Sequence, residues 1–414
     1  MSEARKAIEG AEIPKAQTWY TTGLDLLDLC VGGAPGAFGF PGGYIINFVG
    51  DKSAGKTLLY IEMLIANKRR FGKVFKPNHD DSESGCTFDT KALYGVDLME
   101  GKEPTKSATV EEMDANVGNF LSGLGKNGKG IYVVDSLDGL SSNDNEERAE
   151  VRMKLAASGK DVENRGSYGM GSAKFLSQDF FKTKAGMIQN HDALLIIVSQ
   201  VRENLEPGMF KPKYTRSGGK ALDFYAHTCL WLSTVRKIIK KVGDEERVVG
   251  VIVQAETKKS KTPRPYRKVR FSLYFDYGMD NIGSNIDYLF DLRKDDGSLK
   301  PGADSIPWKG KQASFQDLLA WLKEIGEYEG VKLAKRKETG TSAIGAEWLG
   351  NHLQTTPELK AKLEETFGQT MSRDALVKAC EDSPSMAEEL TQRVREKWEA
   401  IESSMSSERK PKYA

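Results

Sequence analysis

Short apolar runs recur along the first 290 residues and are separated by longer segments with helical patterns. Four of these runs are apolar at odd and even positions alike: 44–49, 130–134, 193–198 and 229–232. Such runs are typical of parallel strands whose two faces are both covered by helices. Two later runs, 248–254 and 269–275, alternate apolar and polar residues and favour antiparallel or edge strands. The pattern predicts an α/β fold with a mostly parallel central sheet and helices on both faces.

The pattern changes after about residue 290. A polar stretch at 293–302 gives way to segments with helical patterns at 315–325, 346–353, 357–367 and 385–401. A chain of 414 residues is also too long for one ordinary domain. We therefore predict four regions: an N-terminal arm at 1–20, a core domain at 21–290, a smaller and mainly helical C-terminal domain at 291–402, and a disordered tail at 403–414.

One motif carries most of the chemistry. The first apolar run leads into Gly50, Asp51, Lys52, Ser53, Ala54, Gly55, Lys56 and Thr57, and a helical pattern starts with Leu58. This is strand, GxxxxGK[ST], helix, the P-loop of proteins that bind nucleoside triphosphates. Glycines let several backbone N–H groups converge on the phosphates. The motif assigns Lys56 to the β and γ phosphates and the Thr57 hydroxyl to Mg²⁺. A glycine-rich turn without a ligand is the weaker alternative.

Polar residues follow other predicted strands, where ligands of open α/β sheets bind. Asp135 ends the run at 130–134 and fits the acid that holds Mg²⁺ through water in a nucleotide site. Glu83 lies just after a predicted strand at 73–76 and is a candidate for orienting the attacking water. A solvated acidic loop explains Glu83 equally well. Gln200 lies two residues after the run at 193–198 and offers a further polar group at this edge. A buried or capping glutamine is the alternative.

Overall charge does not direct the chain toward nucleic acid, since 60 Lys and Arg balance 59 Asp and Glu. Local segments do raise that possibility. Residues 211–220 are cationic and include an aromatic residue and two glycines, and residues 258–268 contain no acid. Such segments can track a nucleic-acid backbone. Solvated charged faces are the more common explanation of either segment alone.

The four cysteines are far apart and lack the spacing of a zinc site. No apolar run approaches the roughly 18 residues that span a bilayer, and the N-terminus has no signal-peptide core. From these features we expect a soluble, intracellular protein without structural zinc in a reducing cytoplasm.

The order of these features resembles one family, the RecA-type recombinases, and within it the UvsX-like recombinases of phages. The resemblance covers roughly 18–290. It is carried by TTGLDLLD at 21–28, GDKSAGKT at 50–57, DSE at 81–83, GVD at 95–97, VDS at 134–136, SQVR at 199–202 and SGGKALDFYA at 217–226. It implies a RecA-like P-loop NTPase core, an oligomerisation role for the N-terminal arm, and ATP and Mg²⁺ as cofactors.

The resemblance also implies residue roles at the nucleotide. Residues 50–58 and Asp135 resemble the ATP and Mg²⁺ site, and Glu83 looks like the catalytic glutamate. Gln200 resembles the sensor that couples the γ phosphate to the second DNA loop. Lys259 and Lys261 fall on a K-x-K pair that reaches the neighbouring subunit's ATP, and Tyr277 matches an aromatic residue near adenine.

Two DNA-binding loops are implied as well, at about 158–172 and 201–220. The candidate DNA contacts are Arg165, Gly166, Met170, Gly171, Arg202, Phe210, Lys211, Lys213, Arg216, Gly218, Gly219 and Lys220. The implied activity is DNA-stimulated ATP hydrolysis by a helical filament on single-stranded DNA that pairs with duplex DNA and exchanges strands. The implied partners are both forms of DNA, further copies of the chain, a single-strand-binding protein and a loader, with no membrane.

Three other functions use related machinery. A RecA-fold replicative helicase shares the P-loop, the strand-terminal acid and the cationic loops, but forms hexameric rings. A small-molecule kinase would act without DNA. A regulatory paralogue would bind DNA or a recombinase while hydrolysing little ATP. The order of the motifs favours the recombinase, with the helicase second.

Overall fold

The computed structural model describes residues 18–33, 36–86, 88–101, 103–125, 128–158, 170–203, 214–216, 219–262, 264–303, 306–308 and 370–405. We number strands and helices in chain order within these residues. The strands are β1 (Trp19–Tyr20), β2 (Phe40–Pro41), β3 (Tyr44–Gly50), β4 (Phe75–Asp81), β5 (Lys129–Asp135), β6 (Leu194–Glu203), β7 (Tyr214–Arg216), β8 (Thr228–Val242), β9 (Glu245–Ser260), β10 (Lys268–Tyr274), β11 (Gly278–Asp280), β12 (Ile306–Pro307) and β13 (Thr370–Met371).

The helices alternate with the strands through the first part of the chain. They are α1 (Asp25–Gly32), α2 (Lys56–Phe71), α3 (Thr90–Tyr94), α4 (Val110–Gly123), α5 (Asn143–Ala157), α6 (Met170–Phe175), α7 (Phe181–Asn190), α8 (Gly219–Tyr225), α9 (Asn281–Leu289), α10 (Arg373–Asp382) and α11 (Pro384–Ser404). A π-helical segment, Leu176–Phe180, joins α6 to α7.

A nine-stranded sheet organises the first part of the chain. Its order is β11-β10-β9-β8-β3-β6-β5-β4, and β7 pairs with β6 outside this path. Strands β4, β5, β6, β3 and β8 are parallel, whereas β8, β9, β10 and β11 are antiparallel neighbours. The predicted α/β fold with a mostly parallel central part is therefore confirmed, as are the two antiparallel strands.

The sheet is buried on both faces. Tyr132 and Val134 of β5 belong to a core cluster with Met113 and Val117 of α4 and Phe181 of α7. The intervening strand residues, such as Val133 and Ile196, are also fully buried but lie outside that cluster. Successive strand side chains point to opposite faces. The apolar residues at odd and even positions thus serve two different packing layers, as the unbroken apolar runs predict.

The register brings the ends of the parallel strands together. Gly50 at the end of β3 pairs with Gln200 of β6, and Asp81 at the end of β4 pairs with Asp135 at the end of β5. The chain leaves each of these strands toward the same edge of the sheet. Polar residues that are far apart in the sequence therefore meet at this edge.

A second compact unit spans Asn281–Ser404, and the first spans Met1–Asp280 with Met405–Ala414. The second unit begins ahead of the boundary that the sequence suggested, because α9 packs on α10 and α11. In this unit the buried Asp287 accepts hydrogen bonds from Arg293 and Arg373, with the shortest N–O distances at 2.6 Å. Its described part is mainly helical. The predicted helices at 315–325, 346–353 and 357–367, most of the N-terminal arm and most of the tail lie outside the described residues.

Within the described residues, no helix combines the length and the apolar character that crossing a bilayer requires.

Candidate nucleotide site

The P-loop connects β3 to α2 along the path that the motif predicts. Gly55 has φ 82°, a left-handed conformation that favours glycine, and a Cβ there would lie 2.6 Å from Cδ1 of Leu273. A Cβ on Gly50 would lie 2.6 Å from the carbonyl oxygen of Leu232. The loop is thus held against the sheet at both of its glycines. Helix α2 begins directly after it, with its N-terminal N–H groups available to an anion.

Lys56 folds back over this loop. Its Nζ donates to the carbonyl oxygens of Gly50 at 2.8 Å and Asp51 at 2.7 Å. Burial lowers the pKa of Lys56, and the negative charges of Asp135, Asp51, Glu83 and Asp138 oppose that effect. Lys56 is thus a partly buried cation among acids that follow the strand ends. A negatively charged ligand that brings its own metal ion suits this arrangement.

Thr57 and Asp135 meet at the first turn of α2. The Thr57 hydroxyl donates to Oδ2 of Asp135 at 2.7 Å, across 78 residues of sequence. A hydroxyl and a carboxylate are hard oxygen donors, which suit Mg²⁺ bound beside phosphates. Burial raises the pKa of Asp135, while its hydrogen bonds from Thr57 and Tyr60 lower it. These residues fit a magnesium nucleotide, and Mg²⁺ bound there would neutralise phosphate charge.

Behind Asp135 lies a polar pair that the sequence analysis missed. The Tyr60 hydroxyl is 2.9 Å from Oδ2 of Asp135 and 2.8 Å from Nε2 of His79. Tyr60 is three residues after Thr57, so both side chains lie on the same face of α2. A tyrosine in an apolar helix pattern resembles a core residue, and only the fold reveals its polar partners.

Glu83 and Gln200 are hydrogen-bonded to each other. Nε2 of Gln200 donates to Oε1 of Glu83 at 2.9 Å, and the Ser136 hydroxyl donates to the same oxygen. The backbone N–H of Gln200 donates to Oδ2 of Asp138 at 3.0 Å. Glu83 is exposed to solvent yet fixed at the mouth of the P-loop site. A carboxylate in this position is well placed to orient a water molecule.

Strand β4 ends in a short turn that carries Glu83. Oδ1 and Oδ2 of Asp81 accept from the backbone N–H groups of Gly85 and Cys86, at 3.2 and 3.0 Å. The Ser82 hydroxyl donates to the carbonyl oxygen of Ser136 at 2.6 Å. The turn is therefore tied both to itself and to the end of β5.

The two lysines of the K-x-K pair differ in their surroundings. Nζ of Lys259 donates to the carbonyl oxygens of Asp223 and Phe224, in the last turn of α8. The backbone N–H of Lys261 donates to the carbonyl oxygen of His227, and its side chain is exposed. In the single chain Lys259 thus stabilises the helix that follows the second predicted DNA loop.

Tyr277 lies in the turn between β10 and β11 and is 52% exposed. Phe275, in the same turn, is 55% exposed. Two exposed aromatic rings in one turn make a surface suited to a planar base.

Half-buried Glu62 ties this turn to α2. Its Oε1 accepts from the backbone N–H of Met279 at 2.6 Å and from the Tyr94 hydroxyl at 2.8 Å. A Cβ on Gly278 would lie 2.3 Å from the same oxygen. Burial raises the pKa of Glu62 to about 7. The carboxyl group is therefore partly protonated near neutral pH.

We expect this carboxyl to make folding stability depend on pH. Its pKa is 4.5 without burial and about 7 in the folded protein. The stability that it contributes is fully present below pH 4.5 and is lost as the pH rises through 7. Glu62→Gln keeps an acceptor and cannot ionise. Relative to this variant, the natural protein should lose up to about 3 kcal/mol between about pH 5 and pH 8.

Urea unfolding of both proteins across that pH range measures the difference directly. The exposed Glu103 offers a matched control, and Glu103→Gln should follow the natural protein at every pH. A difference between the Glu62→Gln and natural proteins that stays constant with pH would contradict the expectation.

The predicted DNA contacts divide equally between described and undescribed residues. Arg165, Gly166, Phe210, Lys211, Lys213 and Gly218 lie outside the described residues. Six others fall in elements whose backbone is described: Met170 and Gly171 begin α6, Arg202 is in β6, Arg216 is in β7, and Gly219 and Lys220 begin α8. Strand β7 pairs Arg216 with Val201, directly after Gln200. The second loop therefore starts and returns next to the nucleotide site.

The fold and the site define a protein with a P-loop between a parallel strand and a helix. A family model for the RecA N-terminal domain matches residues 152–280, which begin after the P-loop and include β6 to β11. Among solved structures, the chain is similar to the crystal structure of the RadB recombinase, with a TM-score of 0.39 and 19% identity. That similarity covers 63% of this chain and 98% of the other.

Proposed function

We propose that this protein is an ATP-dependent DNA recombinase of the UvsX-like kind. It assembles into helical filaments on single-stranded DNA, pairs that strand with homologous duplex DNA and exchanges strands, while DNA stimulates its ATP hydrolysis. The observation that carries the proposal is the position of Gln200. This residue pairs with Gly50 of the P-loop, bonds Glu83, and is followed directly by the β6–β7 pairing that opens the second predicted DNA loop.

That position suits coupling between ATP and DNA. A γ phosphate beside Glu83 would compete for the amide group of Gln200, since both offer acceptor oxygens to the same donor. A change of partner at Gln200 would shift Val201, whose partner strand contains Arg216. ATP would in this way alter the path of the second loop and its affinity for DNA.

The chemistry of hydrolysis follows from the site residues. Lys56 binds the β and γ phosphates, Thr57 and Asp135 hold Mg²⁺, and Glu83 orients the attacking water. Lys259 and Lys261 act on the nucleotide of the neighbouring subunit, where positive charge stabilises the transition state. For Lys259 this requires release from the carbonyl oxygens of α8. Tyr277 stacks on the base.

DNA binding should depend on phosphate contacts and leave the bases free to test pairing. The predicted contacts at 165–171 and 202–220 supply cationic and glycine residues for that purpose. Further copies of the chain, a single-strand-binding protein and a loader complete the proposed assembly. We place it in the cytoplasm of a bacterial or phage-infected bacterial cell.

Binding to a fluorescent single strand tests the proposal. We expect tight binding with a slowly hydrolysed ATP analogue, weaker binding with ADP, little dependence on sequence, and a steep fall in affinity with salt. Equal affinity with both nucleotides or a shallow salt dependence would contradict the proposal.

Lys261→Ala tests the action of one subunit on the next. The side chain is exposed, so we expect a folded monomer with unchanged melting temperature. DNA-stimulated hydrolysis should be abolished, because the filament lacks a positive charge at the neighbour's phosphates. The measurement is the ATPase rate with saturating single-stranded DNA. Lys91→Ala, which removes an exposed lysine from α3, is the control with normal turnover. Normal turnover of Lys261→Ala would contradict the proposed action of this lysine on the nucleotide of the neighbouring subunit.

A further inference from the structure

We propose that Tyr60 and His79 are positioning residues that hold Asp135 in the orientation needed for Mg²⁺. The inference rests on the proposed function, because it assumes that Asp135 serves a magnesium nucleotide. Neither side chain is part of the P-loop motif. They act through Asp135 and would not touch the nucleotide.

The geometry places two hydroxyl donors on one carboxylate oxygen. Oδ2 of Asp135 accepts from Thr57 at 2.7 Å and from Tyr60 at 2.9 Å. Both donors come from α2, one turn apart, so the carboxylate is fixed against the helix that carries the P-loop lysine. A carboxylate held in this way cannot rotate freely about its terminal bond.

The hydrogen bonds also define the role of His79. A carboxylate only accepts, and the Tyr60 hydroxyl has one proton to donate. If that proton goes to Asp135, the Tyr60 oxygen must accept from Nε2 of His79 at 2.8 Å. Burial lowers the pKa of His79, which favours the neutral ring. His79 then orients the hydroxyl of Tyr60, and Tyr60 orients Asp135.

Burial argues against a role in packing alone. Tyr60 is 0% exposed and His79 is 3% exposed, and their rings are 5.1 Å apart between centroids. Two apolar side chains of similar size would fill the same volume without the cost of burying polar atoms. The Tyr60 hydroxyl and Nε2 of His79 instead form a chain of bonds that ends on the acid of the site.

Tyr60→Phe removes the hydroxyl and keeps the ring. We expect the Mg²⁺ concentration for half-maximal binding of a fluorescent ATP analogue to rise about 10- to 100-fold, the usual effect of losing such a supporting contact. Binding of the same analogue in EDTA should change less than about twofold, because Asp135 matters only with the metal. The maximal ATPase rate should recover at high Mg²⁺.

Tyr132→Phe is a matched control. Tyr132 is 1% exposed, and its hydroxyl donates to Oδ2 of Asp80 at 2.8 Å, another buried carboxylate. This variant loses the same kind of bond away from the P-loop. It should lose stability in thermal unfolding and keep the Mg²⁺ dependence of the natural protein.

Two variants of His79 test its positioning role independently. They do so even if Tyr60→Phe fails to fold. Leucine removes the donor, whereas glutamine places an N–H close to the position of Nε2. We expect His79→Leu to shift the Mg²⁺ dependence and His79→Gln to restore most of it. Equal behaviour of the two variants would overturn the role of His79.

Thr57→Ala separates the failure of this inference from the failure of the proposed function. If Thr57→Ala shifts the Mg²⁺ dependence while Tyr60→Phe stays within about twofold of the natural protein, the positioning role is overturned and the magnesium site stands. If neither variant alters it, Mg²⁺ does not bind at Asp135, and the nucleotide chemistry proposed above fails as well.

Discussion

Lys56→Ala should lose nucleotide affinity by about 100-fold or more and, with it, ATP-dependent binding to single-stranded DNA. The Nζ atom of Lys56 bonds two carbonyl oxygens of the P-loop, which places it where the β and γ phosphates would lie. Hydrogen bonds to charged groups contribute about 1.5–3 kcal/mol each, and 1.4 kcal/mol corresponds to a factor of ten in affinity. Titration with a fluorescent ATP analogue, then with labelled DNA, measures both effects.

The variant should remain folded, because alanine removes a cation whose burial is unfavourable in the absence of phosphate. Lys73→Ala provides a matched control, since this lysine is exposed beyond the end of α2. It should bind nucleotide and DNA as the natural protein does. Retention of ATP-dependent DNA binding by Lys56→Ala would show that the P-loop does not control the DNA site.

Glu83→Gln should separate nucleotide binding from hydrolysis. Glutamine has the same shape and can still bond Gln200 and Ser136, so affinity for ATP should change only a few-fold. Glutamine cannot polarise the attacking water, and loss of such a group costs about 10² to 10⁴ in rate. The DNA-stimulated ATPase rate should fall by that factor, and complexes with DNA should persist in ATP for longer.

Glu103→Gln controls for the loss of one negative charge from the same unit, and it should hydrolyse ATP normally. A Glu83→Gln rate within tenfold of the natural protein would assign the water-orienting role elsewhere. In that case the bond between Glu83 and Gln200 would be structural.

The sequence predicts the centre of the sheet well because its strands are buried on both faces. The apolar runs at 44–49 and 130–134 correspond to β3 and β5 almost residue for residue. The P-loop is equally direct, since its glycines are required by close contacts with the sheet. In these segments the local pattern and the tertiary environment impose the same requirement.

Strand β4 is less visible in the sequence for a physical reason. It lies at the edge of the sheet, where Pro77 is tolerated because one side of the strand needs no partner. The polar side chain of Asp80 finds its hydrogen-bond donors on other segments, because it accepts from Ser107 and Tyr132. The predicted strand at 73–76 therefore falls short of the observed Phe75–Asp81.

The hairpin of β8 and β9 extends beyond its apolar signal. The sequence predicts strands at 229–232 and 248–254, whereas the structure pairs Thr228–Val242 with Glu245–Ser260. The outer parts are exposed and charged, with Lys240 opposite Arg247 and Lys241 opposite Glu246. Backbone pairing around the turn at Gly243 determines the strand structure of these outer parts. Their sequence has no apolar periodicity from which the strands could be predicted.

The residues of the candidate site also differ in whether the sequence identifies them. Motif residues such as Lys56 and Thr57 can be identified from local order alone. Tyr60 and His79 cannot, because a buried polar pair is specified by the register between α2, β4 and β5 and by no spacing in the sequence.

The most direct test of the central claim is the ATPase rate with and without single-stranded DNA, combined with negative-stain imaging of the same samples in a slowly hydrolysed ATP analogue. A DNA-dependent recombinase should show strong stimulation together with helical filaments. Closed rings would favour the hexameric helicase, and a rate that does not respond to DNA would contradict the account.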